Sequence, residues 1–347
     1  MSVLMQTNEL WSIVLSGGEG ERLKPFIQQW LGQHKPKQYC AFVGTRSMFQ
    51  HTLDRADLLS PPGRRVTVIA KSHREEALPQ LAGRPFGKVI VQPTNRNTAA
   101  GVFLAASYVR ACNPHATVVI FPSDHFVYPE DRFLKAVGAA IRATDLLRNH
   151  LVLLGVPANG IELDYGWVQL GARLGALGEF RLTAVEAFLE KPNQDIAERA
   201  LLSGALWNTL IVAARVETLW AMGWRYFPDL MELFEKYTAY IGTSKEDATL
   251  EAIYRVMPVR NISSHLLQNV SQHIAAIEMS GVLWCDWGRP ERILHTLARI
   301  GKRPLHSWEH AAASSSSIPS APVPGTDPDE AKLAFAQSDA YGVANRE

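Results

Sequence analysis

Five short runs constrain this chain more than any other feature: residues 11–16 (WSIVLS), 65–70 (RVTVIA), 88–92 (KVIVQ), 117–122 (TVVIFP) and 151–156 (LVLLGV). They are rich in apolar, mostly β-branched residues and bounded by Gly, Pro or polar residues, the pattern of strands buried on both faces. Helical stretches separate them, at about 73–81, 98–111 and 130–148. This alternation predicts an α/β fold, a Rossmann-like, mostly parallel or mixed sheet with helices on both faces. Ligands in such sheets bind beyond the carboxyl ends of the strands. Function is therefore sought in the residues that follow each strand.

After about residue 160 the pattern changes. Strands are expected at 167–170, 182–189 and 207–213, then helices at 217–223, 230–237 and 246–256. A strand near 271–278 and a helix from Glu291 follow. The reading is one large domain over 1–310, with halves of about 1–160 and 161–310. From Ala311 the chain turns to AAASSSSIPSAPVPGTDPD, too poor in apolar surface to offset its ordering entropy. A flexible tail is expected over 311–347, within which 329–336 (DEAKLAFA) could form one or two helical turns.

Composition narrows the function classes. Lys and Arg number 35 against 34 Asp and Glu, a formal net charge of +1, which argues against broad electrostatic binding of nucleic acid. No apolar run reaches the roughly 20 residues of a membrane span. The N-terminal MSVLMQTNELW lacks the basic and apolar regions of a secretory signal. Three isolated cysteines, Cys40, Cys112 and Cys285, make neither a disulfide framework nor a zinc site, and a cytoplasmic setting is expected.

The first run opens into Ser16-Gly17-Gly18-Glu19-Gly20-Glu21-Arg22-Leu23. Glycines let a backbone close on a ligand and turn its N–H groups inward, and Arg22 adds a planar cation suited to phosphate oxygens. Alone, the stretch is equally compatible with an ordinary tight turn. A dinucleotide fingerprint fails because Leu23 stands where Gly or Ala is needed, and no Gly-Lys-Ser/Thr sequence of the Walker type occurs. Lys37 in His34-Lys35-Pro36-Lys37-Gln38 offers a second cation for the same polyphosphate. The 117–122 run ends in Ser123-Asp124-His125, and Trp284-Cys285-Asp286-Trp287-Gly288 supplies a second acid in an apolar setting. Two carboxylates with phosphate oxygens suit Mg²⁺; for Asp124 alone a turn or helix cap is the alternative. His125 reads as structural, since Mg²⁺ prefers oxygen. Glu190-Lys191, before Pro192, pairs an acceptor for sugar hydroxyls with a phosphate-binding lysine, or forms a plain surface ion pair.

Taken in order, GGEGERLKP, KPKQ, QPTNRNTAAGVFLAA, FPSDH, FLEKP, LWNT and WCDWG resemble the sugar-nucleotide pyrophosphorylases over about residues 11–295. RNTA at 96–99 and PSDH at 122–125 favour the mannose-1-phosphate guanylyltransferase branch. The resemblance implies a nucleotidyltransferase that joins GMP from GTP to mannose 1-phosphate with Mg²⁺, giving GDP-mannose and pyrophosphate. It implies that Gly17, Gly18 and Gly20 wrap the triphosphate, with Arg22 and Lys37 as catalytic cations and Asp124 and Asp286 on Mg²⁺. It implies Arg96, Asn97 and Thr98 near the base or ribose, and Gly166, Glu190, Lys191 and Asn208 on the sugar-phosphate side. No nucleic-acid or membrane partner is expected; assembly of like copies is left open. The sequence departs from the family at Glu21, where Thr is usual, and at Lys24, where an aromatic is usual. Two motifs depart as well, Trp207-Asn208-Thr209-Leu210 and Tyr165-Gly166-Trp167-Val168. Another sugar phosphate or nucleotide, or a paralogue that senses nucleotide sugars without turnover, stays open.

Overall fold

A computed structural model describes residues 9–303; the expected tail at 311–347, with its 329–336 segment, lies outside the described residues. The first half holds β1 (Leu10–Ser16), α1 (Lys24–Leu31), α2 (Met48–Leu59), β2 (Arg65–Ala70), α3 (Arg74–Leu81), β3 (Lys88–Gln92), α4 (Asn97–Cys112), β4 (Thr117–Pro122), β5 (Phe126–Tyr128), α5 (Glu130–Leu146) and β6 (Leu151–Pro157). The second holds β7 (Gly166–Leu177), β8 (Phe180–Glu190), α6 (Gln194–Leu202), β9 (Leu206–Arg215), α7 (Val216–Tyr226), α8 (Pro228–Thr238), α9 (Glu246–Val256), α10 (Ile262–His265), β10 (Ile274–Glu278), β11 (Leu283–Cys285) and α11 (Pro290–Arg299).

The five runs read from the sequence become β1, β2, β3, β4 and β6. Nine described strands share one sheet, in the order β3-β2-β1-β4-β9-β6-β10-β8-β7. β3, β2, β1 and β4 are mutually parallel. β9 enters antiparallel between β4 and β6, and β10 runs parallel to β6. The sheet is thus mixed, with a parallel first half. Successive side chains of a strand point to opposite faces, and both faces here are apolar. Ile13 packs with Val66, Val118 and Ile120 against α4, whereas its neighbour Val14 joins Ile69 against α2 and α3. Val119 and Phe121 face α5. That two-sided burial is why these strands read as continuous apolar runs.

A satellite core positions the far end of the chain. β5 and β11 form a separate antiparallel pair. Beneath them Leu23, Phe26, Phe42, Trp287, Ile293 and Leu297 pack together, tying α1 to α11. Trp287 has φ 46°, a strained left-handed conformation for a bulky residue. Its ring stacks on Phe126 at 4.7 Å and meets Phe42 edge-on at 5.4 Å, which fixes it there. Asp286 is thereby carried to the carboxyl end of β1. Among the described residues no helix is long and apolar enough to cross a membrane.

Candidate active site

β1 and β4 end side by side, Leu15 opposite Pro122, so the glycine turn lies next to Ser123-Asp124-His125. The turn is held from behind by its carbonyls. Tyr39 Oη donates to Ser16 O at 2.9 Å, and Gln38 Nε2 to Gly18 O at 2.8 Å. With those acceptors committed to protein, the N–H groups are what the turn offers an anion. Gly17 abuts the end of a side chain, and Gly20 stands in the left-handed region that favours glycine. A Cβ on Gly17 would come 2.8 Å from Gln92 Oε1, and Gly20 has φ 64° with Lys37 Cγ at 3.4 Å from its would-be Cβ.

Charged groups from distant segments meet in front of this turn. Lys37 is buried; its Nζ lies 3.1 Å from Asp124 Oδ2 and donates to the main-chain carbonyl of Asp286. Arg22 Nη2 donates to Asp286 Oδ2 at 2.8 Å, and its Nη1 lies 3.1 Å from Asp164 Oδ2. Asp286 Oδ1 accepts three bonds: from Tyr165 Oη at 2.9 Å, Gly288 N at 3.0 Å and Arg292 Nη1 at 2.8 Å. Burial alone would raise the Asp286 pKa, but Lys37, Arg292 and the Gly288 amide hold the carboxyl well below the usual range. Asp124 follows the same balance: burial pushes it up, Lys37 and His125 push it down, and the result is a lowered pKa. His125 is pushed down chiefly by burial and is neutral at pH 7. Arg289, Arg22 and Arg292 overcome burial to lower Asp164.

Two adjoining cavities result. One of about 270 Å³ is lined by Gly20, Glu21, Arg22, Leu23, Lys37, Asp124 and Gly288. The other, about 610 Å³, has Gly17, Gly18, Gln92, Asn97, Thr98 and Asp124 among its walls. Asp124 lines both. Gly17, Gly18, Gly20, Arg22, Lys37, Asp124 and Asp286 are therefore brought together. Arg96 lines neither cavity: its Nε and Nη2 donate to Tyr254 O at 3.0 and 2.8 Å and Nη2 to Arg255 O at 3.2 Å, closing the end of α9. Thr98 Oγ1 also accepts from Ile262 N at 2.9 Å, capping α10.

The four residues expected on the sugar-phosphate side form their own group. Register sets Gly166 opposite Glu190 and Trp167 opposite Trp207, next to Asn208. A Cβ on Gly166 would come 3.2 Å from Glu190 Oε2 and 3.4 Å from Asn208 Cβ. Burial pushes the Glu190 pKa up, opposed by Lys191. Lys191 is exposed and has φ 46°. This group lines neither of the two cavities. Sequence reasoning misses Gln38, Tyr39, Gln92, Asp164 and Arg292 as parts of the site.

Among the described residues no group of three or more His, Cys, Asp or Glu is arranged to hold a metal. Asp124 and Asp286 are an all-oxygen pair, and the Asp124 side chain is 33% exposed. Such a pair fits a hard cation that completes its shell with phosphate oxygens and water. Arg22 occupies one lone pair of Asp286 Oδ2, and the other is the carboxylate's remaining place for a cation.

The site lies beyond the carboxyl ends of parallel strands, where α/β sheets of this kind bind ligands. The chain belongs to the nucleotidyl transferase family, whose model matches residues 11–302. It is 31% identical over 289 residues to the alginate biosynthesis protein AlgA of Pseudomonas aeruginosa, the match covering 80% of this chain and 56% of that one. It is 26% identical over 288 residues to a mannose-1-phosphate guanylyltransferase of Escherichia coli, covering 81% and 60%. The chain thus spans little more than half the length of these two relatives. Its fold is similar to the crystal structure described as a mannose-1-phosphate geranyltransferase from Thermus thermophilus, with a TM-score of 0.70 at 23% identity over 84% of this chain and 79% of that one.

Proposed function

We propose that the chain transfers a nucleotidyl group from a nucleoside triphosphate to a sugar 1-phosphate and releases pyrophosphate, with GTP and mannose 1-phosphate as the preferred pair. The observation that carries this reading is the convergence of Arg22, Lys37, Asp124 and Asp286 in front of the glycine turn. The Escherichia coli relative's name supports the choice of sugar and nucleotide. Gln92 Nε2 donates to Tyr254 Oη at 3.0 Å, which leaves Oε1 as an acceptor at the cleft wall for an N–H of a base.

The attacking group is a phosphate oxygen of the sugar 1-phosphate. Its second pKa is about 6, so it is largely dianionic at neutral pH and needs no general base. A bond forms from this oxygen to the α-phosphorus while the bond from that phosphorus to the α–β bridging oxygen breaks. The electron pair leaves with pyrophosphate. The obstacle is the approach of two anions, and fixed positive charge lowers it. Lys37, locked by Asp124 and the Asp286 carbonyl, is preset for this task. Arg22 is 48% exposed and, among the described residues, bound to the carboxylates of Asp164 and Asp286, so it can exchange them for phosphate oxygens. Mg²⁺ held by Asp124 and Asp286 would supply further charge neutralisation on the phosphates. Neutral His125 moves no proton in this scheme.

Two substitutions separate the parts of the site. A Cβ on Gly288 would come 2.6 Å from Asp286 Oδ2 and 2.7 Å from Arg22 Nη2. Gly288→Ala is expected to displace Arg22 and lower kcat/KM about 10- to 100-fold, the scale of one charge-assisted hydrogen bond. Lys191→Ala is expected to raise the KM for sugar 1-phosphate about tenfold or more with a smaller change in nucleotide KM, for the same reason. A change confined to the nucleotide would remove Lys191 from the sugar-phosphate side. The overall reading is tested by pyrophosphate release from four nucleoside triphosphates against several sugar 1-phosphates with Mg²⁺. GTP with mannose 1-phosphate is expected to be fastest. Another best pair would change the specificity alone, and no release from any pair would favour the sensing paralogue.

A further inference from the structure

We infer that His73 restrains an acidic side chain of the phosphate-facing turn, and that Glu19, once unrestrained, opposes nucleoside triphosphate binding. The inference rests on the triphosphate reading above. The turn that would wrap a polyanion contains two acids, Glu19 and Glu21. Glu21 stands at the rim of the smaller cavity, its side chain 67% exposed with Lys24 Nζ at 3.7 Å. Glu19 is treated differently. Its neighbours Gly18 and Gly20 each line a cavity, yet Glu19 lines neither. Its Oε2 lies 3.2 Å from His73 Nε2. A carboxylate only accepts, so Nε2 carries the proton of this bond.

His73 follows β2 and is buried, so the anchor is rigid. Its ring meets Tyr39 edge-on at 5.6 Å, and its Nδ1 lies 3.5 Å from Ser16 O, the carbonyl that Tyr39 Oη also holds. Tyr39 thus fixes the start of the turn, and the histidine packed against it fixes the direction of its acid. Nothing in strand packing requires a polar ring bonded to a half-buried carboxylate here; a ligand site that must keep negative charge turned away does. His73 acts through Glu19 and is a positioning residue.

The test uses the full chain. Binding of GTP and of inorganic tripolyphosphate is measured by titration calorimetry without sugar phosphate, alongside steady-state kinetics. His73→Phe is expected to weaken both ligands tenfold or more, with kcat at saturating nucleotide and the KM for sugar 1-phosphate within threefold of wild type. Adding Glu19→Gln to His73→Phe is expected to restore binding to within threefold, because the charge being restrained is gone. If the double variant stays as weak as His73→Phe, the histidine acts by packing and the inference is overturned. Should His73→Phe fail to fold, Glu19→Gln alone decides: it is expected to bind at least as tightly as wild type, and a tenfold loss would make Glu19 a direct contributor to binding and overturn the inference. A wild-type chain that binds neither ligand overturns the nucleotidyl reading itself; a wild-type chain that binds, with His73→Phe binding equally well, overturns this inference alone.

Discussion

Lys37→Met is expected to lower kcat/KM at least a thousandfold and to lower Tm by several degrees. Lys37 Nζ is the shared counter-ion of the crevice, 3.1 Å from Asp124 Oδ2 and bonded to the carbonyl of Asp286. Methionine reproduces the apolar stem, one atom short, and removes the charge. Burial then pushes the Asp124 pKa up without opposition from its strongest partner. Breaking a buried pair by removing one partner costs about 3–5 kcal/mol, and each kcal/mol shifts Tm by about 2–4 °C in domains of about 150–250 residues and by less in a longer chain. The chemical step suffers separately, because the cation that offsets repulsion between the reacting phosphates is gone. Lys37→Arg is not expected to rescue activity. A planar guanidinium does not reproduce a point charge seated between Asp124 and the Asp286 carbonyl. Pyrophosphate release and a thermal melt check both arms. Full activity in a folded Lys37→Met chain would remove Lys37 from charge stabilisation.

What can be read from the sequence follows from which contacts are local. β2, β3 and β4 form at the very residues expected, 65–70, 88–92 and 117–122: β2 and β4 are buried along nearly their whole length, while β3, a partly buried edge strand, is marked by its Val-Ile-Val run. α2 escapes the pattern reading, although Ser47 and Gln50 form a reciprocal capping box that announces its start. α1 is hidden by Pro25, which sits where a proline suits the first turn of a helix. β5 and β11 have three residues each and pair across more than 150 positions, so no local period betrays them. β7 reads from the sequence as 167–170 only and runs over Gly166–Leu177, its glycines and exposed outer half weakening the strand signal.

The site divides along the same line. Arg22, Lys37, Asp124 and Asp286 stand out because each follows a strand or sits in an odd composition. Asp164 obeys the same strand-end rule, lying beyond β6, but reads as one acid in a polar turn until three arginines are seen on it. Arg96, expected near the base or ribose, has its guanidinium on the main-chain carbonyl of Tyr254, 158 positions away. A bond between segments so far apart leaves no trace in the local pattern.

Asp286→Asn is expected to lower kcat/KM by about two to four orders of magnitude, a range set by one or two lost charge-assisted contacts, and its effect on stability should depend on pH in a definite direction. The carboxylate accepts from Arg22 on one oxygen and from Tyr165, Gly288 and Arg292 on the other. An amide of the same shape must turn an NH₂ group toward one of these donors, and it removes the charge that both arginines face. Arg292, whose side chain is 12% exposed, then keeps Glu162 as its nearest anion. The folded pKa of Asp286 lies below the ordinary aspartate value of about 4. Its stabilising contribution is therefore complete above about pH 4, where the unfolded chain is also ionised, and is lost as pH falls below that toward the folded pKa. The Tm gap between wild type and Asp286→Asn should stay constant from about pH 8 to about pH 5 and narrow on further acidification. A gap that holds steady or widens below about pH 4 would mean that the ionised carboxylate is not what binds α11 and the glycine turn together, and the electrostatic account of the crevice would lose its centre.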